Sequence, residues 1–230
     1  MKDLTLGVLV NNWAGAKAPE KAFMVGHYCK LEALSIDAHA EALFDVFSQD
    51  KGHKNWTYLP YGPFESSEDF KEWLKNTSSG NDPQFYTIIN QQNNAVMGLA
   101  SYLKINPEHG VIEVGHVHFS PKLQRTPIAT EAMYLMMQYV FDELGYRRYE
   151  WKCNALNEKS RNAALRFGFS FEGVFRQALV VKGRNRDTAW YSMLDSEWPQ
   201  AKKAFELWLL PENFDIDGKQ KENLKSFFKS

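Results

Sequence analysis

The feature that most limits how this chain can fold is a strand, a long helix and a second strand read in succession over residues 110–154. "GVIEVGHVHF" (110–119) has the β-branched content of a strand. "PIATEAMYLMMQYVFDELG" (127–145) sets Ile128, Ala132, Leu135, Met136, Tyr139 and Val140 on one helical face, and Gly145 stops it. "YRRYEWKCN" (146–154) is a strand again. A helix between two such strands is a crossover, which sets them parallel in one sheet.

The rest of the chain extends this unit. "MVGHYCKLEAL" (24–34) alternates like one strand, and "IDAHAEALFDVFSQ" (36–49) carries Ala40, Leu43, Phe44 and Phe47 at helical spacing. "NWTYLPYGPF" (55–64) is a Pro/Gly loop crowded with aromatics, and "SSEDFKEWLKN" (66–76) is a helix capped by Ser66 or Ser67. "QFYTIIN" and "AVMGLASYLKI" are strands around the polar turn "QQNN". After the crossover come a short helix at 157–168, capped by Asn157 and ended by Gly168, and a hairpin over 171–194 turning at "KGRN". The order β-α-α-β-β-β-α-β-α-β-β predicts a mixed sheet, antiparallel at first, with helices on both faces. Residues 1–22 are loosely patterned and are expected to wrap the domain.

Composition narrows the class. The 230 residues, 44% hydrophobic, suit one medium domain with extensions. A formal net charge of −1 offers no basic excess for nucleic acid. Cys29 and Cys153 stand far apart without CxxC or metal spacing, which points to a reducing, cytoplasmic compartment without a disulfide framework. "LTLGVLV" is short and lacks a basic start, so no signal peptide is expected. No run approaches the ~18 apolar residues of a membrane span.

"HFSPKLQRTPIATEA" (118–132) joins the first strand of the crossover to its helix. A helix start exposes unpaired N–H groups and the positive end of the macrodipole, so an anion is stabilised there. Proline at the first helical position loses little, because that N–H has no intrahelical partner. Thr126 can cap, the amides of Arg125, Thr126, Ile128, Ala129 and Thr130 are open to a pyrophosphate, and Arg125 adds charge. An ordinary helix start is the alternative.

This stretch resembles motif A of the GNAT superfamily of N-acetyltransferases, Q/R-x-x-G-x-G/A. Gln124 and Ala129 match, and Pro127 stands where the first glycine would be. "IEVGHVHFSP" looks like the family's preceding strand, and "NALNEKSRNAALRFGFSFEGVFR" is similar to its downstream N-x-x-S…GF…EG pattern, with Arg166 for the usual Lys. "KGRNRDTAWYSMLDSEW" looks like the end of the RimJ/RimL-type branch. The resemblance covers about 24–198, with 1–23 and 199–230 as N-terminal and C-terminal helical extensions. It implies the α+β GNAT fold: a mixed, mostly antiparallel sheet, helices on both faces, and a V-shaped splay between the two central parallel strands. It also implies acetyl-CoA as co-substrate and no metal. Backbone groups of Val117, His118 and Phe119 would meet the pantetheine, residues 124–130 the pyrophosphate, and Asn157 and Asn162 the cofactor.

Acetyl transfer to an amine needs a proton acceptor for the amine and a proton donor for the departing thiolate. Glu113 is the candidate base, because a carboxylate inside "VIEVGHV" must be paired or raised in pKa. Pairing with an arginine, or facing solvent, is the structural alternative. Ser160 occupies the family's serine position and is the candidate acid; a plain helix-surface serine is the alternative. His116 and His118 stand two apart and so share one face; they suit sheet packing or the lining of an acceptor pocket, because no third ligand sits at metal spacing. Trp56, Tyr58 and Tyr61 line either that pocket or the core. Arg186 and Asp187 read as braces of the hairpin.

The expected acceptor is a primary amine on a small molecule, peptide or protein N-terminus. An α-amine, with a reference pKa of roughly 7.7–8.0 against about 10.4 for lysine, suits a weak base. A non-catalytic CoA-binding module and an enzyme for a longer acyl-CoA are the alternatives. "FELWLLPENF" needs an apolar partner surface, either this domain or a second copy, so the chain is expected as a monomer or homodimer.

Overall fold

A computed structural model describes residues 6–228; residues 1–5 and 229–230, parts of the expected extensions, lie outside the described residues. The strands are β1 (Met24–Val25), β2 (Cys29–Ala33), β3 (Gln84–Asn90), β4 (Val96–Asn106), β5 (Val111–Phe119), β6 (Arg148–Asn154), β7 (Ser170–Val181) and β8 (Arg184–Leu194). They form one sheet in the order β1-β2-β3-β4-β5-β6-β8-β7. Every neighbouring pair is antiparallel except β5–β6, the pair joined by the crossover.

The helices are α1 (Ile36–Phe47), α2 (Ser67–Thr77), α3 (Pro127–Gln138), α4 (Glu158–Arg166), α5 (Trp198–Trp208) and α6 (Leu224–Phe227). Ser35, Ser66, Thr126 and Asn157 each cap a helix by accepting the amide three residues on, so the serine cap of α2 is Ser66. The long helix expected over 127–145 is α-helical only to Gln138. Its last turn widens into a π-turn over Tyr139–Glu143, closed by Leu144 N–H on Tyr139 O, before Gly145 leaves at φ 74°.

The single strand expected over 24–34 is two. Glu131, in the second turn of α3 and 4% exposed, accepts the amides of His27, Tyr28 and Cys29, each at 2.7 Å. The two pieces pair with each other, Met24 opposite Leu31, and the carboxylate fixes the turn between them by taking its amides. Gly26 allows the approach, because a Cβ there would fall 2.3 Å from the Glu131 carboxyl carbon.

Two cores flank the sheet. Under α3, α4 and α5 lies the larger, with Tyr102, Ile112, Val114, Tyr149 and Met193 from the strands and Met133, Met136 and Phe205 from the helices. Helix α3 is buried nearly all round because α5 covers the side turned away from the sheet. The C-terminal aromatics therefore fold back on the domain: Trp198, Phe205 and Trp208 are each at most 4% exposed. On the other face α1 and α2 cover an aromatic cluster of Phe47, Trp56, Phe70 and Phe85, with Leu99 beside it. The N-terminal segment packs along one end of the sheet, with Ala16 N–H on Pro107 O and Lys17 N–H on Leu144 O.

Candidate active site

The parallel pair β5–β6 is joined only from Val111–Arg148 to Val114–Trp151. Both strands continue, β5 to Phe119 and β6 to Asn154, with no further pairing between them. This is the V-shaped splay. It leaves backbone N–H and C=O groups on the inner edges of two strands without a ladder partner, in the middle of a sheet.

A bulge sits at the same place. Ser101 pairs with Gly115 and Leu99 with His118, so β5 carries one residue more than β4. His116, at φ 49°, takes the turn, and neither it nor Val117 has a register partner on β4. Strict alternation would put His118 on the α3 face with Ile112 and Val114. The bulge moves it to the α1/α2 face with Glu113. Both histidines do reach one aromatic cluster, but through the bulge rather than through alternation.

Their environments differ. His118 is 3% exposed, stacked on Phe47 at 3.9 Å and edge-on to Trp56 at 4.0 Å, with its Nε2 unpartnered. Burial lowers its pKa from 6.5 to about 3, so the ring is neutral. Its imidazole is core, which leaves only its backbone for the role expected of it. His116 meets the Tyr61 hydroxyl through Nδ1 at 3.0 Å, and burial lowers its pKa to about 4. Trp56 is 5% exposed and packed among Phe47, Tyr61 and Phe64, so its ring is also core rather than an open pocket wall. Tyr58 donates its hydroxyl to Leu156 O, and Lys182 at the β7–β8 turn donates to Trp56 O. The aromatic loop is thus tied to the β6 side of the splay.

The turn into α3 keeps fewer donors than expected. Thr126 Oγ1 accepts the amide of Ala129 at 3.3 Å and donates to Leu123 O. Thr130 is the fourth residue of the helix, where intrahelical bonding begins, so its amide is committed as well; its hydroxyl accepts from Arg166 at 3.0 Å. The amides of Arg125, Thr126 and Ile128 stay open, with Arg125 exposed at φ 63°. Gln124 donates to Asn55 Oδ1 and Phe119 O, tying the turn to the aromatic loop.

The two candidate catalytic residues lie on opposite faces at the splay. Ser160, on α4, accepts the indole N–H of Trp151 at 3.0 Å. An indole only donates, so the serine keeps its own proton to give. Asn157 spends its side chain on the cap of α4, and Asn162 is exposed. Glu113, 8% exposed, points to the α1/α2 face and receives Lys152 Nζ at 2.8 Å. Burial raises its pKa, and Lys152 opposes the rise. Its partner is a lysine, not an arginine. Lys152 also reaches Glu150 at 2.7 Å and lies 3.8 Å over the Trp190 ring. Lys152, Glu150 and Trp190 escaped the sequence reading. The signal was there: in "YEWKC" the charged residues alternate with buried Tyr149, Trp151 and Cys153, and the parallel register sets Glu150 beside Glu113. Asp187 braces the hairpin as expected, accepting Gln177 N–H and Asn185 Nδ2.

Among the described residues no group of three or more His, Cys, Asp or Glu side chains could hold a metal, and no helix is long and apolar enough to cross a membrane. The family model for the acetyltransferase (GNAT) domain matches residues 30–170. A crystal structure of a GCN5-related N-acetyltransferase from Brucella melitensis is 47% identical, covers 96% of this chain and 100% of its own, and superposes with a TM-score of 0.94. The uncharacterized N-acetyltransferase YnaD of Bacillus subtilis (strain 168) is 28% identical over 61% of this chain and 81% of its own. The putative ribosomal N-acetyltransferase YdaF of the same organism is 31% identical over 47% of this chain and 58% of its own. With the splay, the crossover and the turn into α3 in place, the chain belongs to the GNAT acetyltransferase family.

Proposed function

We propose that this protein transfers the acetyl group of acetyl-CoA to a primary amine, by direct attack with both substrates bound. The observation that carries the reading is the splay: unpaired backbone edges of β5 and β6 beside a helix start with open amides. Those edges suit a ligand bearing amide groups of its own, and the amides of Arg125, Thr126 and Ile128 suit its pyrophosphate. Acetyl-CoA supplies the activated thioester. Glu113, buried and raised in pKa, takes the proton of the amine, directly or through a water. Ser160 gives its proton on the opposite face.

The acceptor we propose is an α-amine of a peptide, a protein or a small aminoacyl compound, as in the RimJ/RimL branch. The resemblance to YdaF, named as a putative ribosomal N-acetyltransferase, favours a protein N-terminus. Residues 24–198 form the catalytic domain in this reading, and the terminal segments brace it. A second reading, a module that binds a CoA compound without turnover, is favoured by Pro127 and by the committed Ala129 amide.

Calorimetric titration with acetyl-CoA, free CoA and dephospho-CoA is the first test. One-site binding of acetyl-CoA is expected, and none from a folded sample overturns both readings. An amine panel read by thiol release follows. Glu113→Gln is expected to lower kcat about 100-fold or more. Tight binding with no turnover on any amine favours the second reading.

A further inference from the structure

Five charged side chains run in one line across the α1/α2 face. Glu113 on β5 meets Lys152 on β6 at 2.8 Å, and Lys152 meets Glu150 at 2.7 Å. Arg148 binds Glu150 at 2.7 Å through Nε and grips both oxygens of Glu172, on β7, at 2.7 and 2.6 Å. Ser192 of β8 donates to Glu172 at 2.7 Å. The line holds three carboxylates and two cations, so one negative charge is left over.

The pivot is Lys152. An ammonium has three donors. Two go to Glu113 and Glu150, and the group lies over the face of Trp190, a favourable place for a cation. Its side chain is 14% exposed, and those of Glu113 and Glu150 are 10% and 9% exposed, so water screens the contest little. Glu150 draws on the same ammonium that steadies Glu113, while Arg148 offsets part of the Glu150 charge. Besides Lys152 and Glu150 on β6, the charged group acting on Glu113 is Lys104 of β4.

We propose that Lys152 is a positioning residue: it orients the Glu113 carboxylate and sets its proton affinity, with Glu150 tuning both by competing for the same ammonium. The proposal rests on the reading of Glu113 as the base. Its distinctive consequence is a pair of shifts of opposite sign. Removing Lys152 takes away the cation that favours the charged carboxylate. Removing the Glu150 charge takes away a repulsion and leaves the ammonium to Glu113.

The test follows the Glu113 side-chain carboxyl by carbon-13 NMR across pH in the full-length protein without ligand, with Glu113→Gln identifying the signal. Lys152→Met is expected to raise the titration midpoint by about one pH unit or more, Glu150→Gln to lower it, and Lys152→Arg to hold it near wild type. Should Lys152→Met fail to fold, Glu150→Gln still decides, because it keeps the lysine and its packing. An unmoved midpoint in Glu150→Gln, or shifts of the same sign in both variants, overturns the proposal. In acetyl transfer from acetyl-CoA to a serine-initiated peptide, the acidic limb of kcat/KM is expected to move with the midpoint. Wild-type turnover by Glu113→Gln instead sinks the base assignment, and with it the catalytic half of this proposal, even where the midpoints shift.

Discussion

The same stretch of β5 and β6 presents two unlike faces. Toward α3 it shows Ile112, Val114, Tyr149, Trp151 and Cys153, all buried and apolar or nearly so. Toward the opposite face the intervening residues are Glu113, Glu150 and Lys152, nearly as hidden from water but charged. Apolar burial is favourable and tolerant of neighbours, while a buried charge demands a partner at hydrogen-bond distance. One face therefore holds the sheet together. The other holds chemistry in a fixed arrangement that contributes little net stability.

The comparison breaks most visibly on the apolar side. Phe205 is fully buried against Tyr134 and Phe167, and Phe205→Ala is expected to cost about 3–5 kcal/mol in a denaturant melt. Acetyl transfer per folded molecule should stay at the wild-type level; a loss in proportion to that of Glu113→Gln would mean that the two faces do not divide the work. The mixed region near His118 gives the next effect. Its folded pKa, about 3, lies below the ordinary 6.5. The unfolded chain therefore binds the proton first, and the stability is complete above pH 6.5 and lost as pH falls toward 3. His116, at about 4, adds in the same direction. Urea midpoints measured from pH 7 downward are expected to fall steeply in the wild type and less in His118→Phe, which keeps the stack on Phe47. Equal slopes would show that His118 does not carry the acid sensitivity. The smallest effect lies at the seam. Thr126→Ala removes the cap of α3, for about 1 kcal/mol. It should leave the Glu113 titration where it was; a shift would mean that the cap reaches the charged face.

The sequence exposed whatever is local and periodic. The crossover, the caps at Ser66, Thr126 and Asn157 and the Gly145 stop each follow from a few neighbouring residues, and each is found in the structure. The resemblance placed the splay. Illegible were features that depend on residues far apart in the chain. Glu131 fixes the turn between β1 and β2 from 102 residues away at Cys29. The partner of Glu113 emerges only once β5 and β6 are set in register. The bulge was hidden for another reason: His116 takes a left-handed backbone conformation that is uncommon for any residue but glycine, and a glycine there would have been the stronger signal. The amide of Ala129 was misjudged because the Thr126 cap, correctly expected, consumes it.

That bulge behaves like a shift of reading frame within a strand. Up to Gly115, odd-numbered residues of β5 belong to the charged side; past His116, even-numbered ones do, as His118 shows by its contacts with Phe47 and Trp56. Closing the bulge with every residue kept would turn the imidazole of His118 into the packed layer under α3, whereas deleting one residue between Gly115 and His118 would close it and leave His118 opposite Leu99 on the charged side. The strand can thus exchange length for orientation at a single point, the point where the sheet opens.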